Sequence, residues 1–433
     1  MHKIVAFLAR YTLMLLLLGA GVAILLPPWQ DYGLLFVLLA LLFNGLVQKQ
    51  PWASTPVTLS VGLFLLSSLL AWHLSPELLS ARLTVGRLWA GVGLGYGLML
   101  WAKTPRHLSL LAWFSTLGAL LLVAAGGFLV QWPGKKLPFI PHSFYTSLPV
   151  KAQGLFNANM LAGALVVLLP LPVAAFLWAR GRWRWLARLG YALVSGLMLI
   201  VLALTQSRGA WLAGLAALSL LLVARWPRLV WALWPVILVA GWYVYTVGLD
   251  QVLQAPLADT MVSGWRSRVE LWRCALAMLR DFPLTGPGPG QFDAFLWNLY
   301  PPVTVSQDAS PYLHAHNMFL QMGVDLGVPG LLAFISLLLS SVIWVIPALR
   351  EPDLQAAAWG GLAALLALVV HGAVDAPWLV GRAAFALWWA WGIVLSAGRL
   401  AAIRQQGRSP SQKRADQVNL ISPRDFHTLN KAS

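Results

Sequence analysis

The chain has 433 residues, of which 59% are hydrophobic and 10% charged, and its mean hydropathy is +0.73. A soluble domain of this size needs far more polar surface, so the composition excludes a soluble globular enzyme and points to a polytopic membrane protein. The formal net charge of +16 would argue for nucleic acid only if it were clustered on a soluble face. Here it is read as membrane topology, and no nucleic-acid partner is expected.

A bilayer core of roughly 30 Å calls for apolar stretches of about 17 to 25 residues. In chain order they fall near 11–27, 32–48, 56–72, 84–102, 108–130, 157–179, 187–205, 209–225, 229–247, 318–347, 354–374 and 382–402. The expected fold is therefore an all-α polytopic membrane protein with about twelve transmembrane helices. The first stretch follows Lys3 and Arg10 and could pass for a signal peptide. "LLPPWQDY" after it offers no small-residue cleavage site, so it is expected to be retained. The stretch at 318–347 is too long for one upright crossing and is expected to begin tilted or re-entrant. The single cysteine, Cys274, rules out an intramolecular disulfide and a thiolate metal cluster.

With the N-terminus in the cytoplasm, most Lys and Arg fall on the inner side, including the run "WARGRWRWLARLG" and the tail "RQQGRSPSQKRADQ". The basic residues left outside are Arg82, Arg87, Lys135, Lys136, Lys151, Arg208, Arg266, Arg268, Arg273, Arg280 and Arg382. Topology does not account for these. The organisation is then 1–247 as N-terminal membrane helices, 248–316 as the larger extracytoplasmic loop, 317–404 as C-terminal membrane helices, and 405–433 as a cytoplasmic disordered tail.

Within 248–316, "SRVELWRCALAMLRDFP" places Val269, Leu271, Trp272, Ala275, Leu276 and Leu279 at helical spacing, so an amphipathic helix should stop at Pro283 and pack on the bundle. "GPGPGQF" at 286–292 reads as a tight turn. As a phosphate cradle it lacks the Lys-Ser/Thr of a P-loop and a flanking strand–turn–helix.

Several residues could carry chemistry. His314 and His316 could be metal ligands, helix-end residues or a catalytic base, for which histidine's near-neutral pKa suits it. A metal needs further ligands; Asp308 and Asp325 are the nearby carboxylates, and i, i+2 positions of a helix face different ways. Arg208 in "LALTQSRGAWLAG" lies between two apolar spans and is either an anion clamp or an arginine snorkelling to headgroups. Arg266 and Arg268 open the amphipathic helix, where backbone N–H groups favour a phosphate or diphosphate, or else form a solvated face. Asp375 is expected to close a turn by a salt bridge with Arg382, with His371 just before it, while Arg82 and Arg87 could hold lipid headgroups or an anionic lipid ligand. An outer face rich in arginine, poor in carboxylate and provided with histidine fits an anionic, lipid-linked substrate.

Taken in order, "QGLFNANMLAGALVVLLPL", "QSRGAWLAG", "SRVELWRCALAMLRDFPLTGPGPGQF" and "HAHNMFLQMGVDLGVPGLLAF" resemble the motifs of the O-antigen ligase/polymerase superfamily, over roughly residues 150 to 400. That resemblance implies a bundle similar to those of the all-helical membrane glycosyltransferases, in the bacterial inner membrane, with an active site facing the periplasm. It implies a metal-independent, inverting transfer of a glycan from undecaprenyl diphosphate to lipid A-core or another glycan hydroxyl, with no cofactor. By the same resemblance the essential residues are His316, within His316-Asn317-Met318-Phe319, together with Arg208 and Arg268, Arg266 being the near alternative. Substrate contacts fall to Arg266, His314, Asn317, Asn159, Arg82, Arg87 and Asp375. One departure stands out: many members read N-P-N-H where this chain has Asn157-Ala158-Asn159-Met160. Ligase and polymerase differ in acceptor, and no residue decides between them. A bicarbonate or other small-anion transporter is the rival of another class. Against it, the spans carry no evident ion relay and no paired broken helices. A structural scaffold would leave the outer arginines unexplained.

Overall fold

The computed structural model describes residues 11–48, 55–132, 143, 156–180, 184–248, 259–303, 314–376 and 383–407. Every apolar stretch expected to cross the membrane is helical. The helices are α1 (Thr12–Leu25), α2 (Gln30–Gln48), α3 (Pro56–His73), α4 (Leu78–Trp101), α5 (Pro105–Leu129), α6 (Ala158–Leu168), α7 (Pro170–Trp178), α8 (Arg184–Leu204), α9 (Arg208–Arg225) and α10 (Val230–Val247). Then follow α11 (Asp259–Asp281), α12 (Phe292–Leu299), α13 (Met318–Val345), α14 (Gln355–Gly372) and α15 (Ala384–Gly407). Helix is the form that satisfies every backbone N–H and C=O within one segment, which hydrocarbon demands. Among the described residues nine segments are long and apolar enough to span a membrane, so the chain is an all-α polytopic membrane protein. A two-residue parallel pairing, Val130–Gln131 (β1) with Phe156–Asn157 (β2), is the one strand contact described.

Helix starts follow local chemistry. Thr55 and Thr58 form a capping box with Pro56 at the first helical position of α3. Glu77 accepts from the N–H groups of Leu79 and Ser80 at the start of α4. Across the bundle core, α4 and α15 pack through small-to-large complementarity. A Cβ on Gly91 would fall 2.1 Å from the Trp388 ring, and one on Gly95 2.2 Å from Trp391. These two glycines, four residues apart, let the backbones approach, as in small-xxx-small membrane contacts. At the other end of these helices Arg399 donates to the terminal carbonyls of Met99 and Leu100 at 2.9 and 3.1 Å.

The long stretch at 318–347 is not one straight helix. Gly327 has φ +71° and Pro329 follows, which divides α13 into a short first segment and a longer second one. Helix α11 packs, as expected, on the bundle. A small core of Leu271, Ala275, Met278, Phe292 and Leu296 closes over Ala315 and Val324. Its phase differs from the expectation in one place: Leu276 is exposed and Met278 takes the buried position. The loop at 133–142 and 144–155, the segment with Arg382 and the tail from 408 lie outside the described residues.

Candidate active site

Four pieces of chain distant in sequence meet at the turn that carries one buried carboxylate. They are the segment His314–Asn317 before α13, the C-terminal turn of α14, the middle of α11 and the start of α9. Asp375 is carried by the α14 turn, whose geometry is set by Val374 and Asp375 N–H groups donating to the His371 carbonyl at 3.0 and 2.9 Å. Its Oδ1 lies 3.1 Å from His316 Nδ1 and 3.9 Å from His314 Nε2, and its Oδ2 lies 3.8 Å from Arg268 Nη2.

His316 reaches this position because its backbone is left-handed, with φ +45°. For a non-glycine residue that conformation costs about 1–2 kcal/mol, and such strain gathers at functional sites. Among the described residues the other non-glycine with positive φ is Gln206, at +55°, two residues before Arg208. The reversal at His316 also answers the objection that i and i+2 side chains diverge. The segment is not helical, and the two imidazole rings lie 4.1 Å apart over one carboxylate. The His316 N–H donates to His314 Nδ1 at 3.1 Å, and the Trp272 indole N–H donates to the His316 carbonyl at 3.4 Å. Asn317 caps α13 through Phe319 and Leu320 and donates from Nδ2 to the Ala373 carbonyl at 2.9 Å, which pins the segment to the α14 turn.

Arg208 is the first residue of α9, half-buried beside the Thr205–Ser207 turn. A Cβ on Gly209 would lie 2.7 Å from Val374 and 3.1 Å from the His371 ring, so this start of α9 sits directly on the Asp375 turn. Arg268 stands within electrostatic reach of both Arg208 and His371.

The electrostatics follow from burial and neighbours. Burial alone would raise the Asp375 pKa, but the hydrogen bond from His316, with the imidazoles gathered around the carboxylate, holds it well below the usual carboxylate range. Asp375 is therefore an anion at any physiological pH. Burial, reinforced by the neighbouring His316 and Arg268 and opposed by Asp375, pushes His314 down to about 4, so His314 is a neutral imidazole.

The donor atoms of His314, His316 and Asp375 fall within 4.8 Å of one another. A divalent ion with ligand bonds of about 2.0–2.2 Å would draw such atoms closer together, and Arg268 already sits on the second oxygen of Asp375. Of the two histidines, His316 is hydrogen-bonded to Asp375 at 3.1 Å, whereas His314 Nε2 stands 3.9 Å from the same oxygen.

The other anticipated residues divide. Arg266 is exposed, and α11 begins at Asp259, so Arg266 and Arg268 lie two to three turns inside the helix. The expectation of a helix N-terminal anion site at these arginines is corrected, since the dipole effect fades within the first turn. Arg82 pairs with Asp31 at 3.3 Å on an exposed face, and Arg87 is half-buried further along α4. Asn159 is half-buried one position into α6, where its neighbour Asn157 performs the cap by accepting from Met160 at 2.7 Å. Among the described residues Asp375 pairs with His316 and Arg268, while the salt bridge expected with Arg382 involves a residue outside the described ones. The roles of Trp272 as a donor to the His316 backbone and of Gln321 beside it were not anticipated. Trp272 read as core, and an isolated glutamine on an apolar helix gave no signal beyond its spacing four residues before Asp325.

Residues 193–335 match the family model described as O-antigen ligase. That stretch contains Arg208, Arg268, His314 and His316 and ends before Asp375. No curated protein matches the chain. The chain thus joins an all-helical membrane architecture to a stretch, residues 193–335, that is similar to the O-antigen ligase family and carries most of the site.

Proposed function

We propose that the protein is an inverting glycosyltransferase that moves a glycan from undecaprenyl diphosphate to an acceptor hydroxyl at the periplasmic face of the bacterial inner membrane. The observation that carries this reading is the 3.1 Å contact between His316 Nδ1 and the buried Asp375, with Arg268 and Arg208 alongside. Because Nδ1 is committed to the carboxylate, Nε2 is the nitrogen left to take a proton. The acceptor oxygen attacks the anomeric carbon while its proton passes to His316 Nε2. The bond from that carbon to the diphosphate oxygen breaks, and the electron pair leaves with the diphosphate. Arg208 and Arg268 hold the developing negative charge, and Asp375 stabilises the imidazolium that forms. A single displacement inverts the anomeric carbon, and no step calls for a metal.

General-base assistance contributes typically about 10²–10⁴ in rate, and preorganised charge at the leaving group contributes on the order of 10²–10³ per donor. A ligase acting on lipid A-core and a polymerase acting on a glycan chain would use the same groups and differ in which hydroxyl is presented. The test is purified protein in lipid with an undecaprenyl-diphosphate glycan and candidate acceptors. Product with inverted linkage and released undecaprenyl diphosphate is expected. Absence of transfer to any hydroxyl acceptor, or retained configuration, would overturn the reading.

A further inference from the structure

The segment that carries both histidines has no regular backbone pairing to fix it, yet it must hold His316 in a strained conformation. One hydrogen-bond chain does so from below. The N–H of the fully buried Ala315, between the two histidines, donates to Gln321 Oε1 at 2.8 Å. The other end of that amide, Gln321 Nε2, donates to Asp325 Oδ1 at 3.0 Å, one turn further along α13. The same Asp325 oxygen accepts the Gly290 N–H at 3.2 Å.

Gly290 belongs to the loop that leaves α11, and that loop is clasped to α13 at two more points. Val328 N–H donates to the Pro283 carbonyl at 2.8 Å and Gly288 N–H to the Val324 carbonyl at 3.4 Å. The fit requires glycine: a Cβ on Gly286 would meet the Val324 carbonyl oxygen at 1.9 Å, and one on Gly327 the Leu284 carbonyl oxygen at 2.3 Å. The run "GPGPG" is thus a clasp between the helix bearing Arg268 and the helix that follows His316.

Asp325 is buried with neutral N–H donors and, among the described residues, no cation within salt-bridge distance. An isolated buried carboxylate opposes folding by several kcal/mol, so stability alone does not account for it. What it does here is accept: one oxygen, Oδ1, takes both the Gly290 N–H and the Gln321 Nε2–H. It forces Gln321 to turn its Nε2 toward Asp325 and its Oε1 toward Ala315. We propose that Asp325 is a positioning residue that orients Gln321 to hold the Ala315 peptide and, through Gly290, keeps His316 in register with Arg268. This inference rests on the reading of His316 as the base.

Swapping the two side chains tests it. In Gln321→Glu two carboxylates face each other and the chain to Ala315 breaks; kcat should fall about 10- to 100-fold, as small misplacements do, with KM for glycan donor and acceptor little changed. In the double variant Gln321→Glu/Asp325→Asn donor and acceptor exchange places, so the bond between the two side chains and the bond from the Ala315 N–H can re-form while the Gly290 N–H loses its acceptor, and kcat should recover most of the loss. Wild-type kcat in the single variant, or the same loss in both, overturns the proposal. Should Gln321→Glu fail to fold, Gln321→Met removes both bonds without adding charge; lowered kcat at unchanged KM is expected, and unchanged kcat overturns the proposal. If the wild-type protein itself transfers nothing, the functional reading is what fails. Hydrogen exchange then still decides the positioning: Gln321→Met should speed exchange of residues 286–290 and 314–317, and unaltered exchange overturns it.

Discussion

His316 Nδ1 lies 3.1 Å from Asp375 Oδ1 although 59 positions of sequence separate them. The contact joins a segment in strained backbone to a turn at the end of another membrane helix. It gives the histidine a defined orientation and its partner a lowered pKa. The chemistry proposed for the site depends on that pair more than on any other.

Asp375→Asn keeps the shape and removes the charge. Transfer should fall by about 10²–10⁴, the size of the general-base contribution. The double variant Asp375→Asn/His316→Ala should be no slower than His316→Ala alone, because residues acting as a unit are not additive. Steady-state rates of the three variants check this, and simple multiplication of the two losses would show that the residues act apart.

Arg208→Lys and Arg268→Lys retain charge and lose the planar fork suited to a diphosphate. Each should lower kcat by about 10- to 10²-fold, within the range for removing one preorganised donor. Arg82 sits in an exposed pair with Asp31, an interaction worth about 0–1 kcal/mol. Arg82→Ala should leave transfer within about twofold. Equal losses at all three positions would contradict the placement of the arginines.

His314 should remain neutral well below the ordinary histidine pKa, with its folded value near 4. Between about pH 6.5 and 4 the unfolded chain then binds the proton and the folded chain does not, so this residue's contribution to stability falls as pH is lowered through that window. Histidine-selective NMR of the folded protein checks it; a His314 titration near pH 6.5 would contradict the burial argument.

Gly209→Val introduces a side chain where Val374 and the His371 ring leave only 2.7 and 3.1 Å for a Cβ. The start of α9 should lift off the Asp375 turn and carry Arg208 with it. Activity should drop by at least about tenfold, a modest share of what a 1 Å misplacement can cost, while the protein still extracts as a folded monodisperse species. Full activity would show that Arg208 does not depend on this packing.

The membrane helices were legible because hydrocarbon thickness imposes a length and an apolar composition on each; the apolar run at 56–72 matches α3 closely, while α4 begins at Leu78, ahead of the run at 84–102. The break in α13 could be expected from an apolar stretch too long for one crossing. Arg266 and Arg268 read as opening α11, yet the helix runs from Asp259 through Gly264; glycine inside a helix costs only about 1 kcal/mol. Leu276 and Met278 were exchanged because both are apolar and lie two residues apart near the edge of the helical stripe. His316, Arg208 and Arg268 could be named from motif resemblance. The partner of His316 could not, since Asp375 has an arginine seven residues away in sequence and the turn that brings it to His316 is set by α14 packing on α9. Gln321 accepts a backbone N–H and the clasp at 286–290 rests on backbone N–H and carbonyl groups, which leave no mark on residue type except the glycines.

The most direct test of the account is the initial rate of glycan transfer by purified wild-type protein and by His316→Ala, measured with undecaprenyl-diphosphate glycan and acceptor under single-turnover conditions. The account predicts a loss of at least about 10²-fold in the chemical step with folding preserved. Near-normal transfer by His316→Ala would contradict it.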